Sequence, residues 1–300
     1  MKNTKLSHQT ILHAKEEQQL CAFLEQKMGG MSKTSIKLLL KNRRVEVNGA
    51  VCARPDYLLQ VGDEIVINNH KPVQQLSHPK LKIVYEDDNL LVVEKGVGLL
   101  TVATYAGSRE VTCVSLLKNY IRKSGRKEGI YVVHRLDRET SGLLVFAKSQ
   151  DVQHYMRDYW KELVQKRQYI AVAEGIMPHE EDTITTWLTE DDKTKMVYSS
   201  PFDDGGKKAI THYKVLKQSG DYSLLELQLE TGRTNQIRVH LASIGHPIVS
   251  DRKYGSDKQP IIDRLALHAQ TLDFIHPVSE QVLHFQTNIP KEFNIPFQRQ

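Results

Sequence analysis

Residues 210–229 read ITHYKVLKQSGDYSLLELQL, and this stretch decides the fold class. Ile210–Leu216 and Tyr222–Leu229 both have strand character, the second with Leu225, Leu227 and Leu229 at every other position. Only the turn Lys217–Asp221 separates them. A parallel crossover needs about a dozen residues or more, so two strands this close must pair antiparallel. Leu81–Tyr85 and Leu90–Glu94 repeat the arrangement, and Gly142–Ala147 and Tyr169–Glu174 are further strand candidates. Helical spacing appears at Val111–Lys123, Asp151–Leu163 and Gln236–Ile244. Strands and helices do not alternate regularly and no repeat is present. The expectation for residues 81–300 is therefore α+β with antiparallel pairing, not a doubly wound sheet.

The remaining composition is that of an ordinary globular chain. Of 300 residues, 40% are hydrophobic and 26% charged, which excludes a mainly disordered chain, a collagen or a coiled-coil rod. No apolar run is long enough to span a bilayer, and the N-terminal stretch MKNTKLSHQTILHAKEEQQL has no apolar core of a secretory signal. The 41 Lys and Arg against 36 Asp and Glu give a net charge of +5, compatible with a nucleic-acid partner. Cys21, Cys52 and Cys113 are widely spaced and match neither a zinc pattern nor a disulfide framework. The expectation is a cytoplasmic, membrane-free protein without a metal, with monomer as the default state.

The first 16 residues are polar and expected to be frayed. From Glu17 a helix is expected, with Leu20, Phe23, Leu24 and Met28 at helical spacing and Gly29-Gly30 as its stop. Ser32 is a natural N-cap for a second helix from Lys33 to about Asn42. On it Lys33, Lys37 and Lys41 share one face, and Arg43 and Arg44 follow without an intervening acid. Such a face can follow a sugar-phosphate backbone; a merely solvated helix face gives the same pattern. Val45-Glu46-Val47 then alternates like a strand, Asn48-Gly49 is a hairpin turn, and a strand is expected at Glu64–Ile67. Residues 17–68 thus read as a small module, and 69–80, which include Pro72 and Pro79, as a linker.

Two polar segments carry the chemistry. In His134-Arg135-Leu136-Asp137-Arg138-Glu139-Thr140-Ser141-Gly142, apolar strands bracket a charged loop whose Asp137 has an arginine within two residues on each side. Arginines nearby favour the ionised carboxylate, which can serve as nucleophile or base; a surface turn with local ion pairs is the alternative. The second segment is Thr231-Gly232-Arg233-Thr234-Asn235-Gln236-Ile237-Arg238-Val239-His240-Leu241. Thr234 can cap a helix whose Ile237, Leu241 and Ile244 point inward. Arg238 lies beside that buried stripe and should have a specific anionic partner. Tyr169, opening YIAVAEG, is either core or a stacking platform. His134, His240 and His268 lack companions at metal-ligand spacing, and phosphate-binding, dinucleotide-binding and serine-hydrolase glycine motifs are missing.

Taken together, EDDNLLVVEKGVGLLT, HRLDRETSGLLVFAKS, KRQYIAVAEG, GKKAITHYKVL, TGRTNQIRVHLASIGHPIVSDRKYG and RLALHAQTLDFIHP occur in one order over residues 81–300. They resemble the pseudouridine synthases of the RluA type. Ser32-Lys33, Val45–Gly49 and Gly62-Asp63 resemble the small RNA-binding module first recognised in a ribosomal small-subunit protein, the S-four type. The resemblance implies a pseudouridine synthase fold with a central, mostly antiparallel mixed sheet flanked by helices, preceded by a small α/β module. It implies an isomerase that converts uridine in RNA to pseudouridine without a cofactor. By position, Asp137 resembles the catalytic aspartate and Arg238 the arginine that pairs with it. Tyr169 resembles the residue that stacks on the flipped base, and Arg135 the arginine that helps extrude the nucleotide. The sequence departs from the family pattern at Glu94-Lys95-Gly96, at Asn235 (often His) and at Ser250 (often Gly), away from those four positions. Large-subunit ribosomal RNA is the first expected substrate and transfer RNA the second. A non-catalytic RNA-binding or ribosome-assembly factor with the same fold is the alternative class.

Overall fold

The computed structural model describes residues 9–29, 31–41, 44–68, 76–105, 107–124, 126–255 and 261–298. The chain divides into two compact units, one of Met1–Gln75 with Asn119–Lys127, the other of Leu76–Lys118 with Glu128–Gln300.

The smaller unit contains β1 (Gln9–His13), β2 (Gln18–Gln19), α1 (Leu20–Lys27), α2 (Lys33–Lys41), β3 (Val45–Val47), β4 (Ala50–Val51), β5 (Leu58–Leu59) and β6 (Glu64–Asn68). Its main sheet has the order β1-β6-β3-β4. Leu20, Phe23 and Leu24 of α1, Ile36, Leu39 and Leu40 of α2, and Val45, Val47, Ile65 and Ile67 of the sheet form one buried cluster. The Ser32 hydroxyl accepts the Ser35 amide at 3.2 Å, so the expected cap starts α2. Asn48 and Gly49 both take positive φ, 50° and 78°, as a tight hairpin requires. Two expectations change. Gln9–His13, expected frayed, is a strand paired antiparallel with β6, because β6 would otherwise present an unpaired edge. The first helix starts at Leu20, not Glu17, since Gln18 and Gln19 pair with Leu59 and Leu58. Residues 69–75 of the expected linker lie outside the described residues.

The larger unit is built on β7 (Leu81–Glu86), β8 (Leu90–Lys95), β9 (Tyr131–Val132), β10 (Ser141–Ala147), β11 (Val164–Glu174), β12 (Glu181–Glu190), β13 (Val197–Ser200), β14 (Lys207–Ser219), β15 (Tyr222–Leu229), β16 (Leu267–Ile275) and β17 (Val282–Gln286). The helices are α3 (Cys113–Lys123), which runs across the sequence boundary between the units, α4 (Gln150–Asp158), α5 (Trp160–Leu163) and α6 (Gln236–Ser243). The sheet runs β13-β12-β14-β15-β11-β16-β10-β8-β7, with β17 beside β16 and β9 beside β10. Every pairing is antiparallel except β10 with β16, so the fold is α+β with a mostly antiparallel sheet. The expected helix 151–163 is broken at Tyr159 into α4 and α5.

The parallel pair sets the geometry of the site. Gly142 of β10 lies opposite Ala269 of β16, and Ala269 lies opposite Tyr169 of β11. The start of β10 and Tyr169 are thus two strand spacings apart, about 10 Å. At Gly142, φ is +117° and an added Cβ would lie 2.1 Å from the Ala269 carbonyl oxygen, so only glycine lets the strands approach.

Candidate active site

The loop before β10 is fixed from both sides of Asp137. Thr101 Oγ1 donates to the Leu136 carbonyl at 2.7 Å and accepts the Leu136 amide at 3.2 Å. The buried Lys95 ammonium donates to the carbonyls of Gly96, Leu99 and Arg138, and the Gly98 amide also reaches the Arg138 carbonyl. Burial lowers the Lys95 pKa to about 8, so this brace is still cationic at neutral pH. Asp137 therefore projects from a segment whose two neighbours are tied down, which limits the motion of its carboxylate.

The arginine that meets it comes from α6. Arg238 Nη1 lies 3.4 Å from Asp137 Oδ2, with the Asp137 side chain 36% exposed and that of Arg238 10%. The stronger partner of Arg238 is a different acid. Asp251, fully enclosed, takes Arg238 Nε at 2.8 Å and Nη2 at 2.7 Å in a bidentate pair. It also accepts the amides of Lys253 and Tyr254. Burial works against its ionisation, but the hydrogen bonds and charge of Arg238, with the two amides, overcome this and hold the carboxyl below its ordinary value.

Asn235 adds a second donor. It stands at the N-cap of α6 in the left-handed region, φ 53°, and its side chain does not cap the helix. With its amide nitrogen toward the carboxylate it donates to Asp137 Oδ2 at 2.7 Å, while its oxygen accepts from the Tyr254 hydroxyl at 3.0 Å and Lys253 Nζ at 3.1 Å. The reverse orientation would set amide oxygen against carboxylate and amide nitrogen against ammonium, its one gain being a long 3.4 Å acceptance from Arg238 Nη1. The residue expected to cap α6, Thr234, does not; Asn235 holds that place. Ile244, expected to face inward, is 38% exposed, because α6 ends at Ser243.

Tyr169 is buried on β11, and its hydroxyl accepts from Arg167 Nη2 at 2.7 Å, with the guanidinium over the ring at 5.4 Å. Arg135 is exposed. Arg135, Asp137, Tyr169 and Arg238 all line one cleft of about 1000 Å³. Arg157, Arg167 and Arg233 line it as well, against Asp137 and Glu190 as its acids, so its charge suits a phosphodiester ligand. His134 sits in its wall against Trp160, with ring centroids 4.9 Å apart. Burial, then the charge of Arg167, holds His134 well below the usual imidazole pKa, so it is neutral. Among the described residues no cluster of His, Cys, Asp and Glu could hold a metal ion, and no helix is long and apolar enough to cross a membrane.

The arginines adjacent to Asp137 in sequence do not become its partners. Arg138 pairs with Glu110, and Arg135 makes no ion pair among the described residues. Asn235, Asp251, Lys95 and Arg167 are site residues that sequence reasoning missed. The signals were the departures from a familiar pattern at Glu94-Lys95-Gly96 and at Asn235; Lys95 braces the Arg138 carbonyl, and Asn235 contacts one of the four key positions. In the smaller unit Lys33 and Lys37 are exposed on α2, and Lys33 lies 3.7 Å from Glu25 of α1. Arg44 is half-buried. Arg43 and the Lys41 side chain lie outside the described residues.

A loop aspartate ahead of β10, an arginine from α6 and a tyrosine on β11, two strands away from β10, all line one basic cleft whose charge suits a nucleic acid. The family model of RNA pseudouridylate synthases matches residues 89–243. The chain belongs to this family and is an RNA pseudouridine synthase, an isomerase. It is 35% identical to an uncharacterized RNA pseudouridine synthase of Bacillus subtilis, over 95% of this chain and 96% of that one. It is 33% identical to the ribosomal large subunit pseudouridine synthase D of Escherichia coli, over 92% and 90% of the two chains. Among solved structures, human RNA pseudouridylate synthase domain containing 4 shares the fold, with a TM-score of 0.58 at 24% identity over 72% of this chain and 92% of that one.

Proposed function

We propose that this synthase isomerises uridine in structured large-subunit ribosomal RNA, with Asp137 as the group that acts on an extruded nucleotide. The observation that carries the reading is the convergence of Asp137, Arg238, Tyr169 and Arg135 on one cleft, from segments far apart in sequence. In the reaction the N1–C1′ bond breaks and a C5–C1′ bond forms. C5 releases a proton and N1 acquires one, so the product has the mass of the substrate. The uridine must leave its stack, at a cost of a few kcal/mol. Tyr169 offsets part of that by stacking on the base, and Arg135 by entering the vacated space. Asp137 then supplies an ionised oxygen to the sugar or ring, held by Arg238.

The relatives named for the ribosomal large subunit favour that RNA as substrate. The smaller unit is the S-four-type module, and its Lys33, Lys37, Lys41, Arg43 and Arg44 contribute charge along the RNA backbone. Its Ser32 cap and Asn48-Gly49 hairpin support this assignment.

The test is Asp137→Asn, assayed by tritium release from RNA carrying 5-tritiated uridine. The expected result is a folded protein with no release; release near the wild-type rate overturns the assignment. Carbodiimide mapping of pseudouridine in total RNA, with and without the gene, should lose a site in large-subunit rRNA. Loss in transfer RNA instead would reverse the choice of substrate.

A further inference from the structure

Asp137 Oδ2 receives both recorded side-chain donors, Asn235 Nδ2 at 2.7 Å and Arg238 Nη1 at 3.4 Å. Among the described residues no donor reaches Oδ1. The two oxygens of one carboxylate therefore differ: Oδ2 is bound, while Oδ1 carries no donor on a side chain that is 36% exposed and lines the cleft. We infer that Asn235 is a positioning residue that clamps Oδ2 of Asp137 and thereby selects Oδ1 as the oxygen presented to the nucleoside. The inference rests on the reading of Asp137 as the reacting group.

Three observations build the clamp. The first is direction. The Val197 amide donates to the Tyr254 hydroxyl oxygen at 3.0 Å, leaving the hydroxyl hydrogen for the Asn235 oxygen. Lys253 Nζ approaches the same oxygen, and together they fix the amide nitrogen on Asp137. The second is backbone. Asn235 occupies the left-handed region, which costs about 1 kcal/mol or more for a residue with a side chain. Asparagine is among the side chains that tolerate it best. An asparagine at a helix N-cap ordinarily bonds the helix amides; this one is turned to the carboxylate instead. The third is division of labour. Arg238 has given Nε and Nη2 to Asp251, so only Nη1 is left for Asp137, at the longer distance. The neutral amide is the nearer donor, and it adds no charge that would weaken the carboxylate as a nucleophile or base.

The test compares Asn235→Ser, Asn235→Asp and Asp137→Asn, with single-turnover rate and RNA affinity measured from pH 6 to 9. Asn235→Ser is too short to reach, so the rate should fall about 10- to 100-fold with little change in affinity, as expected for a hydrogen bond to a charged group. Asn235→Asp is nearly isosteric and supplies the discriminating signature. Its carboxyl would face Asp137 on one side, Lys253 and the Tyr254 hydroxyl on the other, with Arg238, itself paired to Asp251, beside it. Protonated, it can still donate to Oδ2; ionised, it repels Asp137. Its rate relative to wild type should therefore rise as pH is lowered and fall as pH is raised. A structural defect alone would depress the rate equally at every pH, and that outcome, or wild-type rates in both variants, overturns the inference. Asp137→Asn separates the two levels: if it stays active the reading of Asp137 fails. If it is dead while the Asn235 variants behave as wild type, only the clamp fails.

Discussion

Asp251→Asn is the most searching perturbation of the site. Asp251 is fully enclosed, and the Arg238 side chain is only 10% exposed, so their ion pair is desolvated. The change keeps the side-chain shape and an oxygen for the Lys253 and Tyr254 amides. It removes the counter-charge and sets an NH₂ against one guanidinium nitrogen. Breaking a buried pair from one side costs about 3–5 kcal/mol. Asp137 remains as a second acid for Arg238, but at 3.4 Å and on the open side, so the lower end, about 3 kcal/mol, is expected. At a urea slope of about 1–3 kcal/mol per molar, the midpoint should drop by about 1 M or more. Trp160 and Trp187 are the only tryptophans, and both lie in the larger unit, so fluorescence follows that unit's unfolding alone. The freed guanidinium should also turn onto Asp137 and occupy the oxygen that the proposed reaction uses, lowering kcat below what the folded fraction explains. An unchanged midpoint together with unchanged kcat would refute the claim that Asp251 sets the charge and direction of Arg238.

Three further outcomes follow from the same structure. Replacing Lys37 and Lys41 with alanine should weaken RNA binding and reduce the slope of log affinity against log salt by about one to two units; an unchanged slope means a merely solvated face. His240 and His268 are buried, and burial, with Arg264 adding to it at His268, lowers both to about 4. The unfolded chain binds their protons from pH 6.5 downward while the folded one stays neutral until about 4, so stability falls across that window, by about 2 kcal/mol per histidine at pH 5. Urea midpoints at pH 7 and 5 measure this, and replacing both histidines should reduce the difference, leaving the part that His134 contributes by the same route. Gly142→Ala should prevent accumulation of folded protein, since its Cβ meets backbone at 2.1 Å and no side-chain shift relieves that; a soluble, active variant would contradict the β10–β16 approach.

Much of the fold was legible because it rests on short-range rules. The strands flanking Lys217–Asp221 had to pair antiparallel, and they do, over Thr211–Ser219 with Tyr222–Leu229. Ser32 capped its helix and Asn48-Gly49 turned its hairpin, because capping and left-handed φ are properties of a few adjacent residues. β12 and β16 were not singled out. In β16, LHAQTLDFI, seven of the nine residues are buried, so alternation, the sign by which a half-exposed strand is read, is lost.

For the site, sequence determined which residue types could carry the chemistry: an aspartate in a charged loop, a tyrosine opening a strand and an arginine beside a buried stripe. Tertiary structure decided who meets whom. Arg138, next in sequence to Asp137, points to Glu110, while Arg238, 101 residues away, reaches it. Arg238 in turn belongs mostly to Asp251, and Asn235 takes the nearest place on the carboxylate. Neighbours along a loop diverge because successive side chains leave the backbone in different directions. Contacts across the site depend instead on the register of β10, β16 and β11 and on where α6 starts, which are set only when the sheet closes.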